Sequence, residues 1–385
     1  MKLKLIKSAF GATVLVTASV YGAVVGLTLV MGADRGFAME PGNFGQTLSG
    51  TTIGAVLAAP APPGVYGVME TFYGHNGVGT GQNLGTSLAV PLVAPALYWS
   101  TGYQFLGANL AMAVVQPFYD VTAFPTNGAT LGGNGSGPPF GGAVLFENIG
   151  NTLITPILLQ WKLGNGWFAS TGLTLIAPDG SRYNGTNNPD YFTYEPRAAL
   201  AYLDKDWHLT ANFKYDINAA SSGHTGTYQI AANIPYTMGG YGGTPYAPVI
   251  AGIGNGYRSG QEAFLDLAAT HIFGKWEIGP VASFKWQTTA DTPGGGYTCA
   301  QLAASLPAPS LPPKLGCGRA TNYSLGGLVG YNFGPVNLQV WATDSVYNRD
   351  DYAGWAIYTR MVFKIWGDDA APPSGPMYKK ALSAN

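Results

Sequence analysis

Between Trp207 and Ile217 the chain alternates residue by residue. Trp207, Leu209, Ala211, Phe213, Tyr215 and Ile217 share one face, while His208, Thr210, Asn212, Lys214 and Asp216 share the other. A period of two demands a β-strand whose two sides meet different surroundings. The pattern recurs about a dozen times along the chain, repeatedly with aromatic residues near the ends of the apolar face. A soluble sandwich buries such faces against each other; a closed membrane barrel turns them to lipid and keeps the polar faces inside.

Composition decides between these two. Only 10% of the 385 residues are charged, against about 25% in soluble domains, so the chain has too few charges for a water-facing surface. Its 55 Gly and 23 Tyr suit tight turns and interfacial aromatic belts. The net charge of −1 and the lack of a basic tract exclude nucleic acid as a partner.

The N-terminus reads as an export signal. Lys2, Lys4 and Lys7 precede an apolar stretch from Ser8 to Gly32, and Gly36-Phe37-Ala38 offers a small-x-small cleavage site. The stretch is long for a signal core, so an uncleaved helical anchor is the competing reading. No later segment reaches the roughly 20 continuous apolar residues of a membrane helix, so the rest of the chain crosses a membrane as strands. The expected division is a signal peptide at 1–38, a periplasmic segment at 39–63, a barrel at 64–366 and a disordered periplasmic tail at 367–385.

Strands are expected near 64–74, 84–99, 104–119, 148–162, 167–177, 191–203, 207–217, 257–272, 276–288, 321–333, 336–347 and 354–366. Short connections, such as Ser100-Thr101-Gly102, Gly164-Asn165-Gly166 and Asp204-Lys205-Asp206, alternate with long ones, such as 120–147, 218–256 and 289–320. That alternation belongs to outer-membrane barrels, with short periplasmic turns and longer outer loops, and an even strand count returns both ends to the periplasm. The fold expected is therefore an all-β, antiparallel transmembrane barrel of about 12 strands, with ten or fourteen as the alternatives. Its place is the outer membrane of a Gram-negative cell, with outer-membrane lipid and the barrel-assembly machinery as partners. Gly354–Trp366 resembles the aromatic C-terminal strand by which such barrels are recognised for insertion, although here 367–385 follow it.

Several phrases carry a family resemblance. They are Asn151–Lys162, with a Pro and then a Trp near a periplasmic turn, Ala177–Tyr183, Asn188–Pro196, Tyr215–Asn218, Tyr257–Glu262 and Asn348–Asp350, with a fainter likeness at Pro63–Tyr66. In order and spacing they resemble the outer-membrane family of meta-pathway phenol-degradation proteins, described as transporters. The resemblance implies a β-barrel and uptake of small hydrophobic or aromatic solutes. Insertions around 219–256 and 292–318 depart from the family pattern in the outer loops, so ligand preference does not carry over.

Strand parity turns Glu195, Arg197, Lys214, Glu262 and Lys285 inward, because a cation on the lipid face costs about 2–4 kcal/mol at the midplane. These five are the candidate lumen-lining residues, either as a charge-lined passage or as ion pairs that fill a narrow barrel. Cys299 and Cys317 lie in one Gly/Pro-rich loop and are expected to form a disulfide in an oxidising compartment, with two free thiols as the alternative. The Tyr-rich insertion, with Tyr228, Tyr236, Tyr241 and Tyr246, is an aromatic entry site, an inward plug or a plain surface loop. None of His75, His208, His224 and His271 is tied by spacing to a Ser and a carboxylate, and no phosphate loop, Cys-x-x-Cys or His-Glu-x-x-His motif occurs. The sequence thus predicts no enzyme, no cofactor and no metal. Passive uptake through a charge-lined lumen is the leading expectation, and a structural or adhesive barrel with a closed lumen is the alternative.

Overall fold

The computed structural model describes residues 45–78, 86–125, 144–181, 188–222, 256–296, 298 and 318–367. Cys299, Cys317 and the four tyrosines of the insertion lie outside the described residues. The described chain forms fourteen β elements: β1 (Gly64–Val78), β2 (Thr86–Phe105), β3 (Ala108–Val115), β4 (Phe118–Pro125), β5 (Val144–Ile149), β6 (Leu153–Gly164), β7 (Trp167–Ile176), β8 (Thr193–Leu203), β9 (Trp207–Asn218), β10 (Glu262–Phe273), β11 (Trp276–Gln287), β12 (Thr321–Asn332), β13 (Val336–Arg349) and β14 (Tyr352–Trp366). All pair antiparallel, and β1 pairs both β2 and β14, which closes the sheet. β3 and β4 follow one another along β2, and β5 and β6 continue along them, so the fourteen elements make a closed barrel of 12 strands.

The alternation seen in the sequence governs each wall. Along β9 the even positions are buried and the odd ones exposed or half-exposed, from Trp207 to Asn218. Exposed aromatics gather near the short turns, including Trp99, Phe105, Trp167, Trp207, Trp276 and Trp366, and a second set with Tyr73, Phe192, Tyr194 and Trp355 lies toward the other end. An apolar exterior bounded by two aromatic belts is what a bilayer covers. The fold and this surface place the chain in the outer membrane.

Two expectations about the wall are corrected. Ser100-Thr101-Gly102 is a bulge inside β2, with Gly102 at φ 77°, and the turn comes later at Leu106-Gly107, where φ is 52° and 72°. The Thr101 hydroxyl donates to Leu110 O at 2.7 Å and accepts from Tyr103 N at 3.1 Å, which stitches the extra residues into the strand. The strand expected at 104–119 is divided at Gln116-Pro117, because Pro117 has no N–H to give the ladder. Elsewhere the turns take their expected chemistry: Asn165-Gly166 has φ of 50° and 82°, the left-handed pair of a tight hairpin. At 204–206 slight burial works against the Asp204 carboxylate, but hydrogen bonds from Asp206 N, Trp207 N and the Tyr202 hydroxyl hold it below its usual range.

The largest departure lies before β1. The sequence reading places 39–63 in the periplasm; in the structure most of its described part, 45–62, runs through the barrel. Gln46 Nε2 donates to Tyr191 O at the long-loop end, and Ala61 O accepts from Ser100 Oγ toward the short turns. The physical reason is complementarity: a stretch rich in small residues, folded into turns at 49–54, brings its main-chain groups to the inward polar side chains. Ile53 joins a buried core with Leu328, Trp341 and Tyr358, and Ala58 and Ala59 pack with Phe168, Ala201 and Leu203.

Candidate functional site

The lumen is divided into a polar side that grips the plug (45–62) along its length and a mainly apolar side that holds only its end, through Tyr66 to Pro62 O and Ser100 to Ala61 O. The polar side comes from β8–β14. The Asp266 carboxylate accepts from Gly50 N (3.1 Å), Thr52 N (3.0 Å), Thr52 Oγ1 (2.6 Å) and Ser283 Oγ (2.6 Å). Asn212 Nδ2 donates to Thr52 O (2.6 Å) and Ala55 O (2.9 Å). Arg360 donates through Nη1 to Ile53 O at 2.8 Å and through Nη2 to Thr51 O, while its Nε reaches Glu70 Oε1 at 2.6 Å. Trp341 stacks on Tyr358 at 5.0 Å and 2°, and the two side chains donate to Gly50 O and Ser49 O. From the far wall Gln160 Nε2 donates to Leu57 O and Ala59 O. Each plug amide or carbonyl so engaged is a buried polar group that would otherwise be unsatisfied.

The candidate residues fall into two groups. Glu195, Arg197 and Lys214 border the lumen cavity. Arg197 Nη2 donates to Glu195 Oε1, and Glu195 Oε2 accepts from Thr47 Oγ1 of the plug at 2.9 Å. Arg197 Nε is buried without a hydrogen-bond partner among the described residues. Lys214 Nζ donates to Thr51 Oγ1 at 3.1 Å, lies 4.0 Å from Asp266 and sits 5.2 Å from the centre of the Phe264 ring. Glu262 and Lys285 are not part of the cavity lining; Lys285 is held between Glu262 (3.2 Å) and Asp351 (3.1 Å). The candidate set omits the residues with most hydrogen bonds to the plug, Asp266, Arg360, Asn212 and Gln160. Parity shows that they face inward, but nothing in the sequence indicates a main chain for them to hold.

Between the plug and the opposite wall lies a cavity of about 390 Å³. On β1–β4 its lining is mainly apolar, with Val68, Phe72, Val90, Leu92, Ala94 and Val115. It reaches Trp276 and Asn337 at the short-turn end and Asn151, Asn188 and Pro189 toward the long loops.

The upper limit of the cavity coincides with a seam in the wall. Past Leu153 the ladder from β6 to β7 stops, and β5 ends the hydrogen-bonded order of the sheet. Two isolated main-chain bonds, Ala177 N to Thr152 O (3.0 Å) and Ser181 N to Ile149 O (2.8 Å), and a set of side chains bridge the gap. Gln116 Nε2 donates to Gly150 O (2.8 Å), Thr152 N to Asp179 Oδ1 (2.8 Å), Gly180 N to Asn151 Oδ1 (2.8 Å) and Asn188 Nδ2 to Ile149 O (2.7 Å). Asn151 also donates to Gln46 Oε1 of the plug at 2.9 Å. Three of the phrases that carry the family resemblance, 151–162, 177–183 through its described residues 177–181, and 188–196, meet at this seam.

Among solved structures, the COG4313 outer membrane channel from Pseudomonas putida F1 is similar, with a TM-score of 0.55 and 12% identity over 80% of this chain and 98% of that one. This likeness establishes the fold. The Pseudomonas putida toluene transporter TodX (13% identity, 86% and 97% coverage, TM-score 0.34) and the translocator domain of the autotransporter NalP from Neisseria meningitidis (11% identity, 79% and 89% coverage, TM-score 0.40) are looser likenesses and carry no argument. No curated protein matches by sequence. The family described as "Putative MetA-pathway of phenol degradation" matches residues 73–361, most of the chain, and the chain belongs to that family.

Proposed function

We propose that this barrel admits small hydrophobic or aromatic compounds passively, along the apolar side of its lumen, and performs no catalysis. The observation that carries the reading is the mainly apolar lining of the cavity on β1–β4, which extends from the seam to the short turns while the plug is in place. A pocket that is mostly apolar with a few polar groups suits a small ligand of that kind. Glu195, Arg197 and Lys214 then serve chiefly to hold the plug edge, and Glu262 and Lys285 to brace the outer rim. A solute reaches the cavity from the bilayer across the seam, where side chains and two isolated main-chain bonds, rather than a continuous ladder, keep the wall shut.

The test fills the cavity without touching the plug. Ala94 is buried on β2 and lines the apolar side. In liposomes carrying the purified chain, Ala94→Phe is expected to abolish toluene uptake while the protein keeps its folded, heat-modifiable band on a gel. Undiminished uptake by that variant refutes the route. No uptake by the wild type favours the structural barrel with a closed lumen.

A further inference from the structure

We infer that Glu70 is the residue by which the cavity selects solutes bearing a hydrogen-bond donor, so that a hydroxylated aromatic is preferred over the matching hydrocarbon. The inference rests on the uptake reading and adds a chemical class to it. Glu70 points inward near the middle of β1, opposite Ala94 on β2 and Arg360 on β14. Its neighbours on the cavity wall are Val68, Phe72, Leu92 and Ala94, so it is a carboxylate set in an apolar surface.

The arrangement of donors leaves one of its oxygens unclaimed. Glu70 Oε1 accepts from Arg360 Nε, and no described residue donates to Oε2. Its side chain keeps 26% of its accessible surface, all of it within the barrel. The other carboxylates that line the cavity are spoken for: Glu195 accepts from Arg197 and Thr47, and Glu277 from Thr270 and Gln339. Three of the lining tyrosine hydroxyls already donate, Tyr66 to Pro62 O, Tyr98 to Gln160 Oε1 and Tyr119 to Asn188 Oδ1. Among the described residues, Glu70 Oε2 is thus the one lining carboxylate oxygen that lacks a donor.

Arg360 fixes where that oxygen points. Its guanidinium is held by Thr51 O, Ile53 O and Gln339 Oε1 and lies 4.7 Å from the Trp341 ring centre. The Glu70 carboxylate is thereby anchored through Oε1, which leaves Oε2 to the cavity. A solute hydroxyl at Oε2 makes a charge-assisted bond in surroundings that exclude most water, and such bonds are the stronger kind. A solute without a donor must instead strip water from that oxygen and return nothing, which is how a polar group in an apolar pocket discriminates.

The experiment compares toluene, p-cresol and 4-methylanisole in liposomes carrying the full chain, as wild type, Glu70→Gln and Glu70→Asp. p-Cresol adds a donor to toluene; 4-methylanisole keeps the oxygen but loses the donor. Wild type is expected to take up p-cresol roughly tenfold faster than the other two, the ratio for one charged hydrogen bond at the low end of its range. Glu70→Gln can still accept from Arg360 but turns an amide N–H to the cavity, which both oxygenated solutes can accept, so the p-cresol advantage over 4-methylanisole falls toward one. Glu70→Asp keeps the charge pair while drawing the free oxygen back, and the p-cresol preference falls with toluene uptake unchanged. If wild type admits none of the three, the uptake reading fails and this inference with it. If it admits all three and neither variant alters the ratios, uptake stands and the assignment of Glu70 falls.

Discussion

Asp266→Ala tests whether the plug closes the barrel to ions. Three plug donors end on this carboxylate: Gly50 N, Thr52 N and Thr52 Oγ1. A net value of about 1.5 kcal/mol for each hydrogen bond to a charged group gives ~4.5 kcal/mol for the set. Water entering the space left by the side chain recovers part of that, roughly half, since a water can serve two of the three donors. The remaining ~2 kcal/mol raises the ratio of displaced to seated plug about 30-fold, at 1.36 kcal/mol per factor of ten. Lys214, at 4.0 Å, loses its nearest carboxylate in the same change, but its bond to Thr51 and its contact with Phe264 remain. The assay is single-channel recording in planar bilayers, with the time spent in conducting openings as the readout. The variant is expected to open about 30 times as often as wild type, and Asp266→Asn, which retains one acceptor oxygen, to fall between. A folded Asp266→Ala barrel with wild-type openings refutes the reasoning, because the plug would then not owe its seat to this carboxylate.

Other expectations are read off single sites. Lys285→Met leaves Glu262 and Asp351 buried without their shared cation, and a broken buried pair costs about 3–5 kcal/mol, so the variant's thermal unfolding midpoint falls well below that of wild type. A Cβ on Gly326 would lie 1.7 Å from Ala342 O, whereas one on Gly327 meets only Gly279 O at 3.9 Å; Gly326→Ala therefore reduces the yield of folded, heat-modifiable barrel and Gly327→Ala does not. At 204–206, a carboxylate held below its usual range adds stability that is fully present above the unfolded value near ~3.9 and is lost as pH falls through the lower folded value. The residue sits half-exposed in a surface turn, where solvent screens it, so the step is small; it is read from acid titration of the unfolding midpoint and disappears in Asp204→Asn.

The walls were legible because a strand with lipid on one side writes its environment into every second residue. Glu195, Arg197, Lys214, Glu262 and Lys285 were placed inward by that parity alone, and all five lie on interior positions of β8–β11. Their partners were not legible. Lys285 meets Asp351 from a turn 66 positions away, and Glu195 meets Thr47 from a segment with no period at all. The plug, with its Gly, Thr, Ala and Pro residues, looks like a tether because its contribution is main-chain amides and carbonyls, which every sequence possesses. The seam had one visible sign, Pro117, since proline cannot continue a ladder. The side chains that bridge it, Gln116, Asn151, Thr152 and Asn188, are ordinary loop residues until the fold brings them together.

The division of the lumen has a consequence for how closure and uptake relate. Charged and amide side chains facing inward from β8–β14 would be costly if left dry and unpaired, and the main chain of 45–62 satisfies them. The wall of β1–β4 presents few such groups, so the plug has little to bind there and the cavity is left on that side. An ion needs the polar side and therefore needs the plug to move. On the proposed route an apolar solute needs only the apolar side, which stays clear while the plug is seated. The two permeations should thus separate by mutation: Asp266→Ala raises ion conductance and leaves toluene uptake near wild type, whereas Ala94→Phe stops toluene and leaves conductance unchanged. If both variants shift both readouts together, ions and solutes share one path, and the plug rather than the apolar wall is the gate for each.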